Sequence, residues 1–426
     1  MDQGNTGYML LSAALVLLMT PGLAFFYGGL VKAKSVISMM MMSFGAIGLI
    51  AVLWVIYGYA IAFSPAGEDG LIGTGGFLGF DSSNWFLDGA WQEAAAPAGG
   101  LPVIAFAAFQ AMFAIITVAL ISGAIADRAK FGSWMIFAAL WATIVYFPVA
   151  SWVFNFTLAD DGSFASGGWL TYGMQTWLGT GLIDFAGGTA VHINAGAAAL
   201  ALALVLGKRV GFAKGATKPH NPPFVLLGAG LLWFGWFGFN AGSELAADGT
   251  ASIAFLNTLV APAAALLAWI IVEKIKDGKA TSVGAASGAV AGLVAITPAC
   301  AALTPAWAIV LGVVAGAICA LAVDLKYKLG FDDSLDVVGV HLVGGLVGTL
   351  YLGFFANGTG MIYSGSGTQL LVQAIAAVSV MVFSFVVAWI LGFAIEKTIG
   401  FRVKNEDEIA GVDLAVHGEE GYVLAD

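Results

Sequence analysis

Charge is scarce in this chain. Asp, Glu, Lys and Arg together make up only 10% of its 426 residues, whereas 60% are hydrophobic. A soluble domain carries about 25% charged residues, and far fewer cannot cover the surface of a water-soluble fold of this length. The scarcity excludes an ordinary soluble protein and indicates that lipid surrounds most of the chain.

Basic residues and cysteines are also few. The net charge of −10 argues against a nucleic-acid partner, because such partners are bound by basic patches. The two cysteines, Cys300 and Cys319, both lie in apolar stretches, which is typical of small buried side chains and predicts no disulfide framework. No Lys or Arg precedes the first apolar stretch, so we expect no cleavable secretory signal.

Long apolar segments dominate what remains. A helix needs about 20 mostly apolar residues to cross the hydrocarbon core of a bilayer. On that basis the sequence predicts eleven spanning segments, at 7–31, 36–63, 101–125, 133–154, 183–206, 224–243, 251–273, 282–303, 306–325, 337–355 and 369–395. The predicted fold is an all-α integral membrane protein, with one membrane domain over 1–395 and a cytoplasmic tail over 396–426.

The basic residues predict the orientation of these segments. All 16 follow odd-numbered segments: Lys32, Lys34, Arg128, Lys130, Lys208, Arg209, Lys214, Lys218, Lys274, Lys276, Lys279, Lys326, Lys328, Lys397, Arg402 and Lys404. Cytoplasmic loops carry the excess of Lys and Arg. We therefore expect the N-terminus outside, the C-terminus in the cytoplasm, and acidic loops facing outward.

A short motif occurs twice. Val-His followed by a Gly four residues after the His appears at His192 in the fifth segment and at His341 in the tenth. An Asp precedes each His, Asp184 by eight residues and Asp336 by five. If segments 1–5 repeat as 6–10, the odd number of helices makes the repeats inverted, which is typical of transporters.

Each of these polar residues has two interpretations. A histidine at membrane depth is either packed against a backbone carbonyl or part of a conduction path, since neutral imidazoles pass hydrogen bonds and protons. A metal site is disfavoured, because the two histidines have no third ligand near them in the sequence and stable sites usually have three or four. Asp184 is expected to cap the fifth helix directly, with a secondary field effect on a cation, and Asp336 is expected to cap the tenth.

Six stretches, in order along the chain, carry the most distinctive motifs. They are FFYGGL at 25–30, DFAGGTAVHIN at 184–194, GWFGFNAGS at 235–243, TPAC at 297–300, GVH at 339–341, and GVD with HGE at 411–419. Together they resemble the signatures of the ammonium transporter (Amt/Mep/Rh) family, bacterial Amt type, over nearly the whole chain. The resemblance implies transport without a cofactor, metal or enzymatic reaction, by a homotrimer in the cell inner membrane with one pore per protomer.

The resemblance also assigns roles to individual residues. Those expected to recruit ammonium at an outer vestibule are Phe109, Phe113, Phe154, Ser243 and Asp184. Those expected below the vestibule are a phenyl gate of Phe113 and Phe239, then a pore lined by His192, His341 and Trp236. The cytoplasmic face and tail are expected to bind a PII-type signalling protein.

One position departs from the family pattern. Members often place a Trp over the outer cation site, and the corresponding residue here is Phe154. Phe is the weaker cation–π partner. Either the outer cation site is weaker, or Trp152 or Trp169 takes the place of the family's Trp. The sequence is compatible with any of these three residues closing the site.

The cost of moving an ion through an apolar pore predicts the mechanism. Ammonium is expected to lose a proton at the vestibule, so that ammonia crosses and is reprotonated inside. If the imidazoles carry the proton, transport is electrogenic. The alternatives are a neutral gas channel of Rh type and an ammonium sensor that signals through its tail.

Overall fold

Eleven apolar helices form most of the computed structural model, which describes residues 2–63, 82–92, 100–158, 162–212 and 218–422. In chain order they are α1 (Gln3–Leu30), α2 (Ala33–Phe63), α3 (Val103–Ile125), α4 (Phe131–Phe154), α5 (Gly188–Leu206), α6 (Pro222–Glu244), α7 (Gly249–Asp277), α8 (Ser282–Ile296), α9 (Pro305–Leu329), α10 (Val338–Phe355) and α11 (Thr368–Thr398). Within those ranges ten helices are long and apolar enough to cross a membrane, and α8 is shorter. Each predicted segment overlaps one of the eleven. Lys214 and most of the predicted outer loop at 64–100 lie outside the described residues.

Two predicted boundaries were wrong by more than the others, and both corrections reveal irregular backbone. Helix α8 ends at Ile296 instead of 303, and turns occupy 297–303. Helix α5 begins at Gly188 instead of 183, after an irregular lead-in at 179–187. Hydropathy reports burial and not backbone conformation, so it cannot separate an apolar turn from an apolar helix. The amide of Asn257 in α7 donates to the carbonyls of Cys300 and Leu303, each at 2.8 Å, which satisfies part of this turn.

Wide π-helical turns interrupt several of the helices. Two of these turns carry the paired motif: Gly188–Ile193 contains His192, and Val338–Leu342 contains His341. A π-turn inserts an extra residue into a helix and frequently marks a functional site.

Short elements lie between and after the long helices. Strands β1 (Phe156–Leu158) and β2 (Phe164–Gly167) form an antiparallel hairpin, and short helices span Asp88–Gln92, Met174–Leu178 and Met361–Ser364. The tail folds into helices Asn405–Ala410 and Val412–His417. Its Asp413 accepts the backbone N–H groups of Ile37 and Ser38 at 3.0 and 2.7 Å, and this fastens the tail to the start of α2.

Glycines allow α1 and α6 to pack backbone to backbone. A methyl group added at Gly228 would lie 2.6 Å from Cα of Phe26 in α1. One added at Gly230, two residues along the same helix, would meet nothing within 4 Å. Small residues at helix contacts allow this close approach in membranes.

We therefore expect Gly228→Ala to destabilise the protein and Gly230→Ala to leave it unchanged or slightly stabilised. The first forces backbone apart, at a cost of about 1–3 kcal/mol, whereas the second exchanges Gly for a better helix former. Thermal unfolding of the two variants in the same detergent measures the difference. Equal midpoints would show that α1 and α6 can move apart at this contact with little loss of stability.

Candidate functional site

Two histidines meet in the interior of the helix bundle. The Nδ1 atoms of His192 and His341 lie 3.2 Å apart, and the side chains are only 1% and 3% exposed. One Nδ1 must donate and the other accept, so neutral rings at this contact have opposite tautomers. At Nδ1 the two rings therefore bind each other and not a backbone carbonyl. Within the described residues Nε2 of His192 has no hydrogen-bond partner, which leaves it available to a molecule beside the ring.

A column of phenyl rings leads to this pair. Phe113 and Phe239 lie 4.2 Å apart between ring centroids, at an interplanar angle of 31°. Phe109 contacts Phe113 at 4.9 Å on one side, and Phe239 lies 6.2 Å from His192 on the other. Phe109, Phe113 and Phe239 are buried. Phe109 of the predicted vestibule, the two predicted gate residues and His192 of the predicted pore thus form one continuous series of ring contacts.

A narrow apolar cavity surrounds the histidines. Its walls include Met19, Leu23 and Phe26 from α1, Ile116 and Leu120 from α3, and Trp236 from α6. Trp236 stacks on His192 at 5.5 Å and donates from its indole N–H to the Thr297 hydroxyl at 2.8 Å. Such walls disfavour an unpaired ion far more than a small neutral molecule.

A carboxylate lies four residues before the π-turn that contains His192. The two oxygens of Asp184 accept four backbone N–H groups, those of residues 187, 188, 189 and 190, at 2.6 to 3.1 Å. The predicted capping role is confirmed. Its field effect on a cation stays a prediction.

The second carboxylate is not the predicted one. Asp336 lies in the left-handed region at φ 64° and pairs with the Lys326 ammonium at 2.6 Å, so its assignment as the α10 cap was wrong. The cap is Asp333, which accepts the N–H groups of Val337 and Val338 at 3.1 and 2.7 Å. Asp333 precedes His341 by 341 − 333 = 8 residues, the same spacing as from Asp184 to His192 (192 − 184 = 8). That equal spacing was the signal in the sequence.

The three aromatic candidates for the outer site are arranged differently. Phe154 lies 6.5 Å from Phe113. Trp152 packs against Trp169 at 5.6 Å and against Phe383 of α11 at 4.9 Å. The ring of Phe154 therefore contacts the phenyl column.

The remaining predicted vestibule residue is Ser243, which lies just beyond the phenyl column on α6. Its hydroxyl donates to the Phe239 carbonyl at 2.8 Å. The oxygen keeps lone pairs that can accept a further hydrogen bond.

Comparison with known proteins identifies this architecture. The model of the Ammonium Transporter Family matches residues 7–422. An ammonium transporter of Mycobacterium tuberculosis is 55% identical over all of this chain and 91% of its own length. The chain belongs to the ammonium transporter family. Together with the ten membrane-length helices found among the described residues, this makes it a multi-pass membrane protein.

Solved structures of similar proteins have the same fold as this chain. The crystal structure of Saccharomyces cerevisiae Mep2 is 34% identical and superposes with a TM-score of 0.83, covering 95% of this chain and 91% of that one. A structure described as a Sensor Amt Protein is 28% identical with a TM-score of 0.86, covering 97% and 98%. The Mycobacterium tuberculosis relative is thus named as a transporter and one of the solved structures as a sensor.

This protein has a cluster of ion pairs next to the loop that precedes α10, and it was not predicted from the sequence. The Arg209 guanidinium bridges the carboxylates of Asp127 at 3.0 Å and Asp332 at 2.9 Å. Arg209 raises the stability of the Asp332 anion and lowers the pKa of that carboxyl against the opposing effect of burial. The tail joins the cluster, because Glu408 accepts the N–H of Val210 at 2.6 Å. Single acidic and basic residues on separate loops gave no periodic signal.

Asp333 makes the stability of the folded protein depend on pH. Burial raises the pKa of Asp333 to about 6, with Lys326 opposing the shift. Because the folded state holds the proton more tightly, this contribution to stability is full below the ordinary carboxyl pKa and is lost as pH rises through about 6.

We expect the thermal midpoint to fall between about pH 5 and about pH 7.5, in part because Asp333 loses its proton over this range. Asp333→Asn keeps an oxygen acceptor for the cap but cannot titrate, so the fall should be smaller in that variant. Melting curves of both proteins across the pH range test this. An identical pH dependence would assign the effect to other groups.

Proposed function

We propose that this protein transports ammonium. Ammonium is recruited at the vestibule formed by Phe109, Phe113, Phe154 and Ser243, in the field of Asp184. It gives up a proton there, and ammonia passes the gate of Phe113 and Phe239 into the pore lined by His192, His341 and Trp236. The single observation that carries the proposal is the hydrogen-bonded histidine pair in an apolar cavity beneath stacked phenyl rings.

The chemistry separates an ion into two parts that cross more easily. The ammonium ion forms ammonia and a proton, and the neutral molecule avoids most of the desolvation cost of the ion. The proton passes along the two imidazoles, where the Nδ1 contact of 3.2 Å already joins one ring to the other. Reprotonation on the inner side restores ammonium, so one positive charge crosses with each nitrogen and transport is electrogenic.

The same proposal includes topology and assembly. All eleven helices cross the cell inner membrane, with the N-terminus outside and the C-terminus inside, and three copies form a homotrimer. The exclusive placement of basic residues after odd-numbered segments supports the orientation. A cytoplasmic PII-type protein binds the inner face and tail. The folded tail and its bond to Val210 support a coupling between that face and the pore.

Sensing is a second candidate function. The likeness to the Sensor Amt Protein and the docking of the tail on α2 through Asp413 both favour an output through the tail. A sensor would bind ammonium tightly, carry little flux and need a dedicated partner. A neutral gas channel of Rh type would show ammonia flux without current.

Current recording on solid-supported membranes distinguishes these functions. Proteoliposomes of purified protein are expected to give a saturable inward current on addition of ammonium. Ammonia flux with no current, measured in parallel by an internal pH dye, would identify the gas channel. Tight binding with neither flux nor current would identify the sensor.

A further inference from the structure

Two buried glutamines of α11 face the irregular lead-in of α5. Gln369 and Gln373 are 2% and 0% exposed. They are four residues apart, so they lie on one face of the helix, one turn from each other. Primary amides offer both donors and acceptors without charge, and burying them is costly unless each finds a partner.

The side-chain amide of Gln373 binds both the backbone N–H and the backbone carbonyl of one residue, Ile183. Its carbonyl oxygen accepts the N–H of Ile183 at 2.9 Å, and its amide nitrogen donates to the carbonyl of Ile183 at 2.8 Å. The same nitrogen donates to the Thr349 carbonyl of α10 at 3.1 Å. The backbone of Ile183 is therefore held from two directions, directly before Asp184.

Gln369 extends this pairing one step outward. Its amide nitrogen donates to the Gly181 carbonyl and to the Gln373 side-chain oxygen, each at 3.1 Å. Its own oxygen accepts the Thr180 hydroxyl at 2.8 Å. The two side chains form an amide ladder along residues 180–183, which belong to no helix or strand.

The lead-in continues from this ladder into the carboxylate cap. Asp184 directly follows Ile183, and its oxygens are fully engaged by the four N–H groups of residues 187–190. The cap cannot therefore turn toward a cation, and Asp184 acts on one only through its field. The strength of that field depends on where the lead-in holds the carboxylate.

We propose that Gln369 and Gln373 are positioning residues for ammonium recruitment. The amide ladder fixes the backbone before α5, and this sets the position of the Asp184 charge relative to the vestibule. The inference rests on the proposed function, because it assigns the ladder a role in recruiting the transported ion. It gives α11 a part in the pore, although this helix stands outside the predicted repeat of five and five.

The test compares three variants with the wild type in the current assay. Gln373→Leu removes every bond of the inner rung at similar volume. Gln373→Glu stays protonated at this fully buried position, so it still accepts from Ile183 and donates one bond back. Val380→Ala, also on α11 and 0% exposed, loosens helix packing without touching the ladder. Thermal midpoints are measured beside the half-saturating ammonium concentration and the maximal current.

We expect Gln373→Leu to raise the half-saturating concentration about fivefold or more, with a smaller loss of maximal current. Gln373→Glu should bring the half-saturating concentration most of the way back to the wild-type value. Val380→Ala should lower the thermal midpoint and leave the half-saturating concentration unchanged. If Gln373→Leu cannot be purified folded, Gln369→Leu, which removes only the outer rung, carries the test with a smaller shift in the same direction.

The outcomes separate the two proposals. A wild-type protein without current or flux would refute the proposed function itself. A transporting wild type with an unchanged half-saturating concentration in the leucine variant would overturn the role of the ladder. So would an equal shift in Val380→Ala, since that would assign the effect to general loosening of α11, or a failure of Gln373→Glu to improve on Gln373→Leu.

Discussion

Replacing both His192 and His341 with leucine is expected to abolish ammonium-evoked current. Leucine preserves an apolar pore of similar width but removes the joined imidazoles, which are the path proposed for the proton. Acid–base groups in such positions contribute about a hundredfold or more to rate. The current should therefore fall into the background of empty liposomes.

The measurement compares the double variant with both single variants in the same membranes. Each single variant keeps one imidazole, so an intermediate current is expected. An internal pH dye reports whether ammonia still crosses in the double variant, and it separates a lost proton path from a blocked pore. Full current in the double variant would refute the proton path through the histidines.

Asp184→Ala is expected to have the next largest effect. The substitution leaves four buried N–H groups without an acceptor, each at a cost of about 1–3 kcal/mol. It also removes the negative charge before α5. We expect a strong loss of thermal stability, and less than about a tenth of the wild-type current in whatever protein folds.

Asp184→Asn serves as the matched variant, because it keeps one acceptor oxygen at nearly the same size. It should fold better than the alanine variant yet still recruit ammonium poorly, since the charge is gone. Size-exclusion profiles and melting curves report folding separately from current. Wild-type current in the asparagine variant would show that the cap matters and the charge does not.

Composition and the apolar segments predicted the coarse helical membrane fold because both depend on burial. Each of the eleven predicted segments overlaps one helix, and the paired Val-His motif pointed to two side chains that do meet, His192 and His341. A side chain repeated at membrane depth is expensive to bury, so its presence in sequence is already informative.

The parts that sequence reasoning missed depend on backbone conformation. Asp336 lies nearer to α10 than Asp333 does, but its left-handed φ turns it toward Lys326 and leaves the cap to Asp333. Residues 297–303 are apolar enough for a helix and form turns instead. Gln369 and Gln373 sit in an otherwise uniform apolar segment, where nothing along the chain marks the lead-in of α5 as their partner.

The π-turns that hold His192 and His341 make the pore sensitive to chain length. Each wide turn accommodates one residue more than an α-helical turn, and a residue in a helix corresponds to about 100° of rotation. Deleting one residue within Gly188–Ile193 would let the helix close into a regular α form. The flanking segments would keep their direction, but residues within the turn would shift by one position, or about 100°, so that the histidine or the cap would no longer face its partner. Apart from the two histidines themselves, these short stretches are therefore expected to tolerate a change of side chain more readily than a change in the number of residues.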